Sequence, residues 1–332
     1  RAITPEQMVA LQTADLAVLD SAQIRALTTQ SIAALDATQV GALNSDQVKA
    51  LTTTQIRAMD AEDVAGLTSA NIGVLDSAQL RMLSTAQLDA LSPDQLAGLS
   101  STQIASLTTQ QIANLEAGDL ASLSATQFDG FTTAQITALT TTQVQAMESA
   151  DLASLSSDQF RALQTDDIAA LDPTQVGAIG TAQAAAMTSA QLRAIDAEDM
   201  SALTTDALAA GHTGQIRGLT SAQLAALTPE QMASLTAAQM AAMTTDQLAG
   251  LDANQLTGLN TSQFSKLSTA QIASLTTEQI SLLETADFAA MTTLQIGALT
   301  TQQIEAIQPD TFMALTTAQA AALSTAQVRA IT

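Results

Sequence analysis

Pairs of acidic residues three positions apart are the first candidates for chemistry in this chain of 332 residues. Two neighbouring carboxylates can coordinate Ca²⁺ or act together as a general acid and base. Five pairs occur, namely Asp60 with Asp63, Glu116 with Asp119, Glu148 with Asp151, Asp196 with Asp199, and Glu284 with Asp287. Neither an EF-hand loop nor a glycine-rich calcium nonapeptide accompanies them. Acids so placed also stabilise helix N-termini, and this structural interpretation, which fits all five pairs, is preferred to calcium.

His212 is the second candidate, because it is the one histidine and could act as a metal ligand or a base. With no second histidine and no cysteine, a solvated imidazole in an irregular repeat or hinge is the favoured interpretation. The sequence contains no phosphate-binding glycine loop, nucleophile elbow or Ser/His/Asp set. We therefore expect no catalytic residue, no metal, no cofactor and no enzymatic activity.

The composition excludes several function classes. The net charge is -22, from 10 basic and 32 acidic residues, so a protein that binds the phosphates of nucleic acid is excluded. Cys, Trp and Tyr are absent, which excludes disulfides, thiol catalysis, Cys/His zinc sites and aromatic platforms for bases. No run approaches the roughly 20 apolar residues of a membrane helix, and no signal peptide opens the sequence. We expect neither nucleic-acid binding nor membrane insertion.

A period of eight residues accounts for almost the whole sequence. From Ile3 onward every eighth residue is Leu, Ile, Met or Phe, with Gly211 as the exception. We letter the positions a to h, with the consensus Leu-Thr-Thr-Ala-Gln-Ile-Ala-Ala. Position a is the large apolar residue, b is mostly Thr, Ser or Asp, e is Gln or Asp in all but four octads, and f is apolar. Internal repetition of this kind indicates a repeat architecture.

Each octad has the sequence signature of a separately capped helix. Thr or Asp at b and Gln at e form a capping box, and the apolar residues at a and f occupy the positions of a hydrophobic staple. Proline supports this register, because all five prolines fall at c, the first helical position. Acids concentrate at b, d and e and basic residues at g, as the helix dipole favours. The sequence predicts a helix of about one and a half turns per octad.

Two other folds are less consistent with the pattern. In one continuous helix the apolar stripe would wind around the surface, and caps and prolines would recur in the interior. A β-solenoid would need alternating β-branched residues, whereas Ala, Leu and Gln dominate here. We therefore predict an all-α solenoid, or superhelix, of very short capped helices. A lone octad buries too little apolar surface to fold, so stability must come from stacking on neighbouring octads.

The repeat also sets the expected domain organisation. Residues 3–330 form 41 octads without insertion or deletion, so 1–332 is expected to be a single repeat array. The sequence starts two residues before an octad and stops just inside another, which indicates an excerpt of a longer array. The irregular stretch is 203–218, where Ala207 replaces Gln at e and Gly211 replaces the apolar residue at a.

The octads resemble a known group of arrays. Leu83-Ser-Thr-Ala-Gln-Leu-Asp-Ala-Leu91 and Leu219-Thr-Ser-Ala-Gln-Leu-Ala-Ala-Leu227 are similar to the LTxxQIxAL octads of very large bacterial secreted or surface proteins, including RTX-adhesin-like proteins. The resemblance covers essentially the whole chain. It implies a right-handed superhelix that is a structural segment of an exported protein, without catalytic residues. The calcium nonapeptide of RTX proteins is absent.

Two functions remain as hypotheses. The leading one is a monomeric spacer or stalk segment, secreted or at the bacterial cell surface, whose partners are flanking domains of the same polypeptide. The alternative is a binding module whose repeated Ser, Thr and Asp side chains recognise glycan, ice, calcium or a protein partner. The Phe residues and Met147, Met187 and Met243 fall at a or f, so we expect them to fill the core.

Overall fold

The computed structural model describes residues 3–331, and in this part of the chain every regular element is a short helix. There are 40 α-helices and one 3₁₀-helix, each of four to six residues, and none of the described residues forms a strand. No helix among them has the length and hydropathy needed to cross a membrane. The predicted all-α fold with one short helix per octad is confirmed. The terminal residues Arg1 and Thr332, which entered the expectation of a longer array, lie outside the described residues.

Two compact units, 1–167 and 168–332, divide the chain and are considered separately. The α-helices of the first unit are Pro5–Val9, Thr13–Ala17, Ser21–Ala26, Thr29–Ile32, Ala37–Gly41, Ser45–Ala50, Thr53–Ala58, Ala61–Ala65, Ser69–Ile72, Ser77–Met82, Thr85–Asp89, Pro93–Ala97, Ser101–Ser106, Thr109–Asn114, Ala117–Ala121, Ala125–Phe128, Thr133–Thr137, Thr141–Gln145, Ser149–Ser154 and Ser157–Ala162. The helix Thr165–Ala169 contains the boundary.

The second unit has the same organisation. Its helices are Pro173–Gly177, Thr181–Ala186, Ser189–Ala194, the 3₁₀-helix Ala197–Ala202, Thr205–Ala210, Thr213–Gly218, Ser221–Ala225, Pro229–Ser234, Ala237–Ala242, Thr245–Ala249, Ala253–Thr257, Thr261–Lys266, Thr269–Ser274, Thr277–Ser281, Thr285–Ala290, Thr293–Ala298, Thr301–Ala306, Pro309–Phe312, Thr317–Ala321 and Thr325–Arg329.

The helix ends follow the predicted register. In the helix Thr53–Ala58, for example, Thr52 is the N-cap and Gln55 completes a capping box. All five prolines lie at the start of a helix, where the missing N–H would have no partner within the helix. The next octad is reached through two extended residues, as at Leu27 (φ -62°, ψ 142°) and Thr28 (φ -71°, ψ 156°). No residue in 3–331 has a positive φ, so these turns do not depend on left-handed glycine.

Within each unit the octads wind into a solenoid. A helix packs against the third helix along the chain, as Ser21–Ala26 does against Ser45–Ala50 in the first unit. The helices Ala237–Ala242 and Thr261–Lys266 make the equivalent pair in the second unit. Hydrogen bonds between successive turns join residues 25 to 31 positions apart, so a turn closes after three to four octads. The right-handed sense implied by the resemblance stays a prediction.

Positions a and f supply the core. Leu, Ile, Val, Met and Phe at these positions are buried through most of both units, and Phe128, Phe160, Phe264 and Phe288 are at most 1% exposed. The rings of Phe128 and Phe131 stack with centroids 5.4 Å apart. Met147, Met187 and Met243 are buried as expected. Phe312, in the last turn described, is only half-buried, so the expectation of a core position holds less well there.

Position h is small because successive turns approach closely there. A Cβ added to Gly66 would collide with the backbone carbonyl of Ala37, and one added to Gly130 would collide with that of Ser101. Both partners are main-chain atoms, which cannot swing aside as a flexible side chain can. The small residue at h therefore allows two turns to pack backbone against backbone at these points.

Candidate functional site

The glutamines at position e form the most regularly repeated polar feature of the fold. The side-chain oxygen of Gln55 accepts a hydrogen bond from the Thr52 amide at 2.7 Å, and the Gln55 amide nitrogen of the main chain donates to Thr52 Oγ1 at 3.2 Å. The Nε2 of Gln55 then donates to the carbonyl oxygens of Ile24 and Leu27, both at 2.9 Å. Gln55 is buried, and its amide is paired on both sides. One side chain thus caps its own helix and binds the preceding turn.

This second role repeats along both units. In the second unit, Nε2 of Gln255 donates to the carbonyls of Leu224 at 2.7 Å and Leu227 at 2.9 Å. The resulting series of inter-turn bonds from residues at position e is called the amide ladder below. Buried carbonyls need donors, and the bond to the carbonyl at a, such as that of Leu27, supplies one. The carbonyl at f, such as that of Ile24, already accepts from the Leu27 N–H and gains a second bond. The amide ladder therefore holds the turns together.

The sequence pattern predicts only a capping role for these glutamines. A capping box accepts Glu as readily as Gln at its third helical position. Yet position e is Gln in 30 of the 41 octads and never Glu. An amide supplies both the acceptor for the cap and the donor for the preceding turn, whereas an ionised carboxylate only accepts. The absence of Glu at e was the signal for the inter-turn role.

The acidic pairs lie where the amide ladder lacks its amide. Asp60 caps its helix, because its carboxylate accepts from the Asp63 amide at 2.9 Å. The b residues of the other four pairs make no side-chain cap bond, so no capping box forms there; these are Glu116, Glu148, Asp196 and Glu284. A glutamate side chain at the N-cap is longer than the preferred Asp, Ser or Thr, which accounts for three of the four. The helix after Asp196 is the 3₁₀-helix Ala197–Ala202.

Burial raises the pKa of the position-e carboxyl in each of the five acidic pairs. Desolvation, followed by the charge of Asp60, raises the pKa of Asp63 to about 6. Desolvation and then the charge of Glu284 raise the pKa of Asp287 to about 6 as well. The pKa values of Asp119, Asp151 and Asp199 are raised by the same two causes in the same order, the second being the paired acid at b. A raised pKa marks carboxylates that lack enough donors to offset their burial.

The pairs do not assemble into larger acidic sites. Among residues 3–331, no three His, Cys, Asp or Glu side chains lie together so that they could hold a metal ion. A calcium site commonly has six to eight oxygen ligands, which is many more than one pair of carboxylates supplies. Calcium binding at the five pairs stays the less favoured hypothesis.

His212 takes the place of a capping residue. Its Nδ1 accepts from the Gln215 amide at 3.2 Å, while its own main-chain N–H donates to Gln215 Oε1 at 2.7 Å. The imidazole thus completes a capping box at the helix Thr213–Gly218, and it is exposed. Nε2 of Gln215 still donates to the carbonyls of Ala184 and Met187. Capping of the helix Thr213–Gly218 accounts for the position and the hydrogen bonds of His212.

The irregular stretch encloses a small apolar cavity. Three residues that are smaller than the consensus residue at their position line this cavity, namely Ala184 at f, Ala207 at e and Gly211 at a. Met187 and Ile216 are among the other lining residues. The free space accommodates about one water-sized sphere. Sequence reasoning identified Ala207 and Gly211 but missed Ala184, because only the winding of the chain brings it beside them. The cavity has no convergent set of polar groups that would indicate catalysis.

The Ser and Thr side chains divide between two roles. Those at b accept hydrogen bonds from the amide at e, as Thr244 Oγ1 does from Gln247 and Thr276 Oγ1 from Gln279, at 3.2 and 3.1 Å. Those at c are exposed or half-buried. Some donate hydrogen bonds to the next turn, as Thr141 Oγ1 does to Asp167 Oδ1. The capping role accounts for Thr at b. Glycan or ice recognition by this face stays a prediction.

Comparison with known proteins identifies the repeat. A comparison with curated proteins finds no match. The model of the ALTTAQ repeat matches residues 8–45, 40–77, 72–109, 112–147, 144–181, 212–237 and 280–317. These matches lie in both units and together span more than two thirds of the sequence. The chain therefore belongs to the ALTTAQ repeat family, and it is a repetitive protein built as a helical solenoid.

Proposed function

We propose that this chain is a spacer or stalk segment of a large exported bacterial protein, without catalytic activity. The observation that carries the proposal is the amide ladder. Gln55 and Gln255, 200 residues apart in sequence, make the same bonds to the preceding turn. In a segment where most octads repeat the same bonds, each added octad lengthens the solenoid by a similar amount, and no single octad is essential. Length is the property that such repetition supplies.

The net charge and the intramolecular hydrogen bonds support the same role. The sequence has a net charge of -22, which opposes association of the protein with itself. The amide ladder and the capping boxes join groups of the same polypeptide, and the sequence has no cysteine, so folding involves no disulfide. Under this proposal, the partners are flanking domains of the same polypeptide. The protein acts as a monomer outside the cytoplasm.

Deletion of whole octads tests the spacer role. Removal of residues 227–258 takes out four octads and leaves the register intact, whereas removal of 227–254 takes out the same region but breaks the register. We expect the first variant to remain helical and to lose maximum dimension in small-angle X-ray scattering. We expect the second to lose helical circular dichroism and cooperative unfolding. Equal behaviour of the two variants would contradict a repeat whose unit is the octad.

A second experiment addresses export. Under the proposal, protease added to intact cells of the producing bacterium digests the chain, while a cytoplasmic marker protein survives. Survival of both proteins until the cells are lysed would contradict placement at the surface. The spacer would then need a role inside the cell.

The alternative is a repetitive binding module that uses the exposed Ser, Thr and Asp side chains. The side chains that favour it are the Ser, Thr and Asp residues at the starts of the helices, many of which are exposed in both units. Scattering and thermal unfolding across a calcium titration that starts in EDTA distinguish the two functions. Unchanged curves support the spacer. A rise in midpoint that is lost in the variant Asp60→Asn/Asp63→Asn would favour calcium recognition instead.

A further inference from the structure

Two consecutive octads of the first unit place nearly isosteric side chains in the same position. Asn71 and Asp63 both occupy position e, where glutamine is usual, and both are buried at 4% exposure. The Nδ2 of Asn71 donates to the carbonyl oxygen of Leu43 at 2.7 Å. The shorter amide therefore still reaches the preceding turn, 28 residues earlier. Asn71 shows what this position needs, which is a hydrogen-bond donor.

Asp63 provides no such donor when it is ionised. Its Oδ2 is buried and has no hydrogen-bond partner. The carbonyl equivalent to that of Leu43 is the carbonyl of Leu35, also 28 residues earlier. A carboxylate oxygen that replaces the Asn nitrogen in this geometry brings two acceptors together with no hydrogen between them. Such a contact is unfavourable, and a buried group without a partner costs free energy.

We propose that Asp63 is a proton-binding site, in which Oδ2 takes up a proton from solvent and donates it in a hydrogen bond to the carbonyl oxygen of Leu35. Protonation forms one O–H bond and removes one negative charge from the interior. The protonated carboxyl then makes the bond that Asn71 makes through its amide. The result is a rung of the amide ladder that closes in mild acid and is open at neutral pH.

The charges around Asp63 favour uptake of a proton. Asp60 and Glu62 belong to its own octad. The helix Ala61–Ala65 packs against Ala37–Gly41, whose N-cap is Asp36, and against Thr85–Asp89, which ends in Asp89. All four groups are acidic, and Asp60 and Asp36 act on Asp63 through their charges. Burial, with the charges of Asp60 and Asp36 added, raises the pKa of Asp63 to about 6.

Carboxyl titration of the full chain is the direct test. In ¹³C NMR spectra, the Asp63 carboxyl is assigned by its absence from the variant Asp63→Asn. We expect its midpoint near pH 6. A midpoint below about 4.5, close to that of an ordinary aspartate, would overturn the proposal.

Hydrogen exchange supplies an independent readout, because a closed rung protects the amides around it. After correction for the intrinsic pH dependence of exchange, we expect protection of residues 60–68 to be about tenfold higher at pH 5 than at pH 7.5. The variant Asp63→Asn should show high protection at both values. The control variant Asp94→Asn, at an exposed acid in position d, should keep the wild-type pH dependence. Equal pH dependence in wild type and Asp63→Asn would overturn the proposal.

Hydrogen exchange in the presence of Ca²⁺ distinguishes proton binding from metal binding at Asp63. At pH 7.5, millimolar Ca²⁺ should leave the protection of residues 60–68 unchanged if Asp63 binds a proton. An increase in wild type that is absent from Asp63→Asn would show that a cation fills the gap, and the proton-binding proposal would be overturned.

Discussion

Octad 251–258 and the irregular stretch 203–218 belong to the same unit and share a backbone conformation, although their side chains differ. In the regular octad, the Gln255 side chain accepts from the Asp252 amide in the capping box and donates to two carbonyls of the preceding turn. In the irregular stretch, Ala207 has no side-chain donor and Gly211 has no side chain at all. The caps nevertheless remain, since Thr204 accepts from the Ala207 amide and His212 from the Gln215 amide.

The difference separates features that act within an octad from features that act between turns. In this stretch one rung of the amide ladder and one apolar residue at a are absent, while Thr204 and His212 keep the caps at b. Capping acts within an octad, whereas the rung and the core act between turns, where neighbouring octads compensate. A loss at e without charge should therefore cost less free energy of unfolding than a charge placed at e.

The largest expected effect comes from placing that charge in the regular octad. The variant Gln255→Glu keeps the acceptor for the Asp252 amide but turns two donated bonds into contacts between a carboxylate and carbonyl oxygens. We expect the free energy of unfolding at pH 7.5 to fall by about 3 kcal/mol, measured by urea denaturation. The matched variant Gln255→Ala, which copies Ala207, should lose only about 1–2 kcal/mol. Equal losses in the two variants would contradict the role of the buried charge.

A natural acid at e gives a smaller, pH-dependent version of the same effect. Desolvation and the charge of Glu284 raise the pKa of Asp287 to about 6, above the ordinary aspartate value of 3.8 that applies to the unfolded chain. The folded state therefore binds more protons between these values. The contribution of Asp287 is fully present below pH 3.8 and is lost as the pH rises through 6.

The urea midpoint of wild type should accordingly rise as the pH is lowered from 7.5 to 5, and Asp287→Asn should remove part of that rise. The exposed acid Asp246, at position d of the second unit, offers the control variant Asp246→Asn, which should keep the wild-type slope. If Asp287→Asn and Asp246→Asn show the same slope, burial of Asp287 does not govern its titration.

Filling the cavity should make the irregular stretch more like the regular octads. Valine is a common residue at f, and Ala184→Val adds two methyl groups beside Ala207 and Gly211. We expect a gain of about 1 kcal/mol in the free energy of unfolding, measured by urea denaturation. The control Ala320→Val, at an exposed f position, should give no gain. A gain at Ala320 equal to that at Ala184 would indicate a general helix effect and not cavity filling.

Gly211 is a less suitable position for a substitution that fills the cavity. A Cβ at Gly211 would approach Gln215 Oε1 to 2.8 Å, and this oxygen accepts the His212 amide in the capping box. The added methyl would therefore disturb a cap while it filled the cavity. Ala184, whose neighbours in the cavity are mainly apolar, is the better site.

Local features could be predicted from the sequence, and features between turns could not. Thr52 and Gln55 are three residues apart, so the capping box can be recognised in the sequence. The position of Pro173 at a helix start and the burial of Leu256 can be predicted in the same way. The bonds from Gln55 to Ile24 and Leu27 span 31 and 28 residues. The number of octads per turn depends on small rotations at the extended residues a and b, which the residue types do not determine.

The same limit explains what the sequence pattern does not show at the acidic pairs. Asp60 and Asp63 satisfy the spacing of a capping box, and Asp60 does cap its helix. What the spacing omits is the preceding turn, where a donor is needed and the carboxylate of Asp63 has none. Ala184 is not evident in the sequence for the same reason, since it lines the same cavity as Gly211 only after the chain has wound through a full turn.

The smallest expected effect concerns the histidine cap. Thr and Asp are better N-caps than most residues, so His212→Thr should restore the common capping box and raise the free energy of unfolding by about 0.5 kcal/mol. His212→Ala should lower it by about 0.5–1 kcal/mol, because the Gln215 amide loses its acceptor. Hydrogen exchange at the Gln215 amide should follow the same order, Thr slowest and Ala fastest. Identical exchange in all three proteins would mean that this cap adds nothing, and the irregular stretch would then be held by Gln215 and its bonds to Ala184 and Met187 alone.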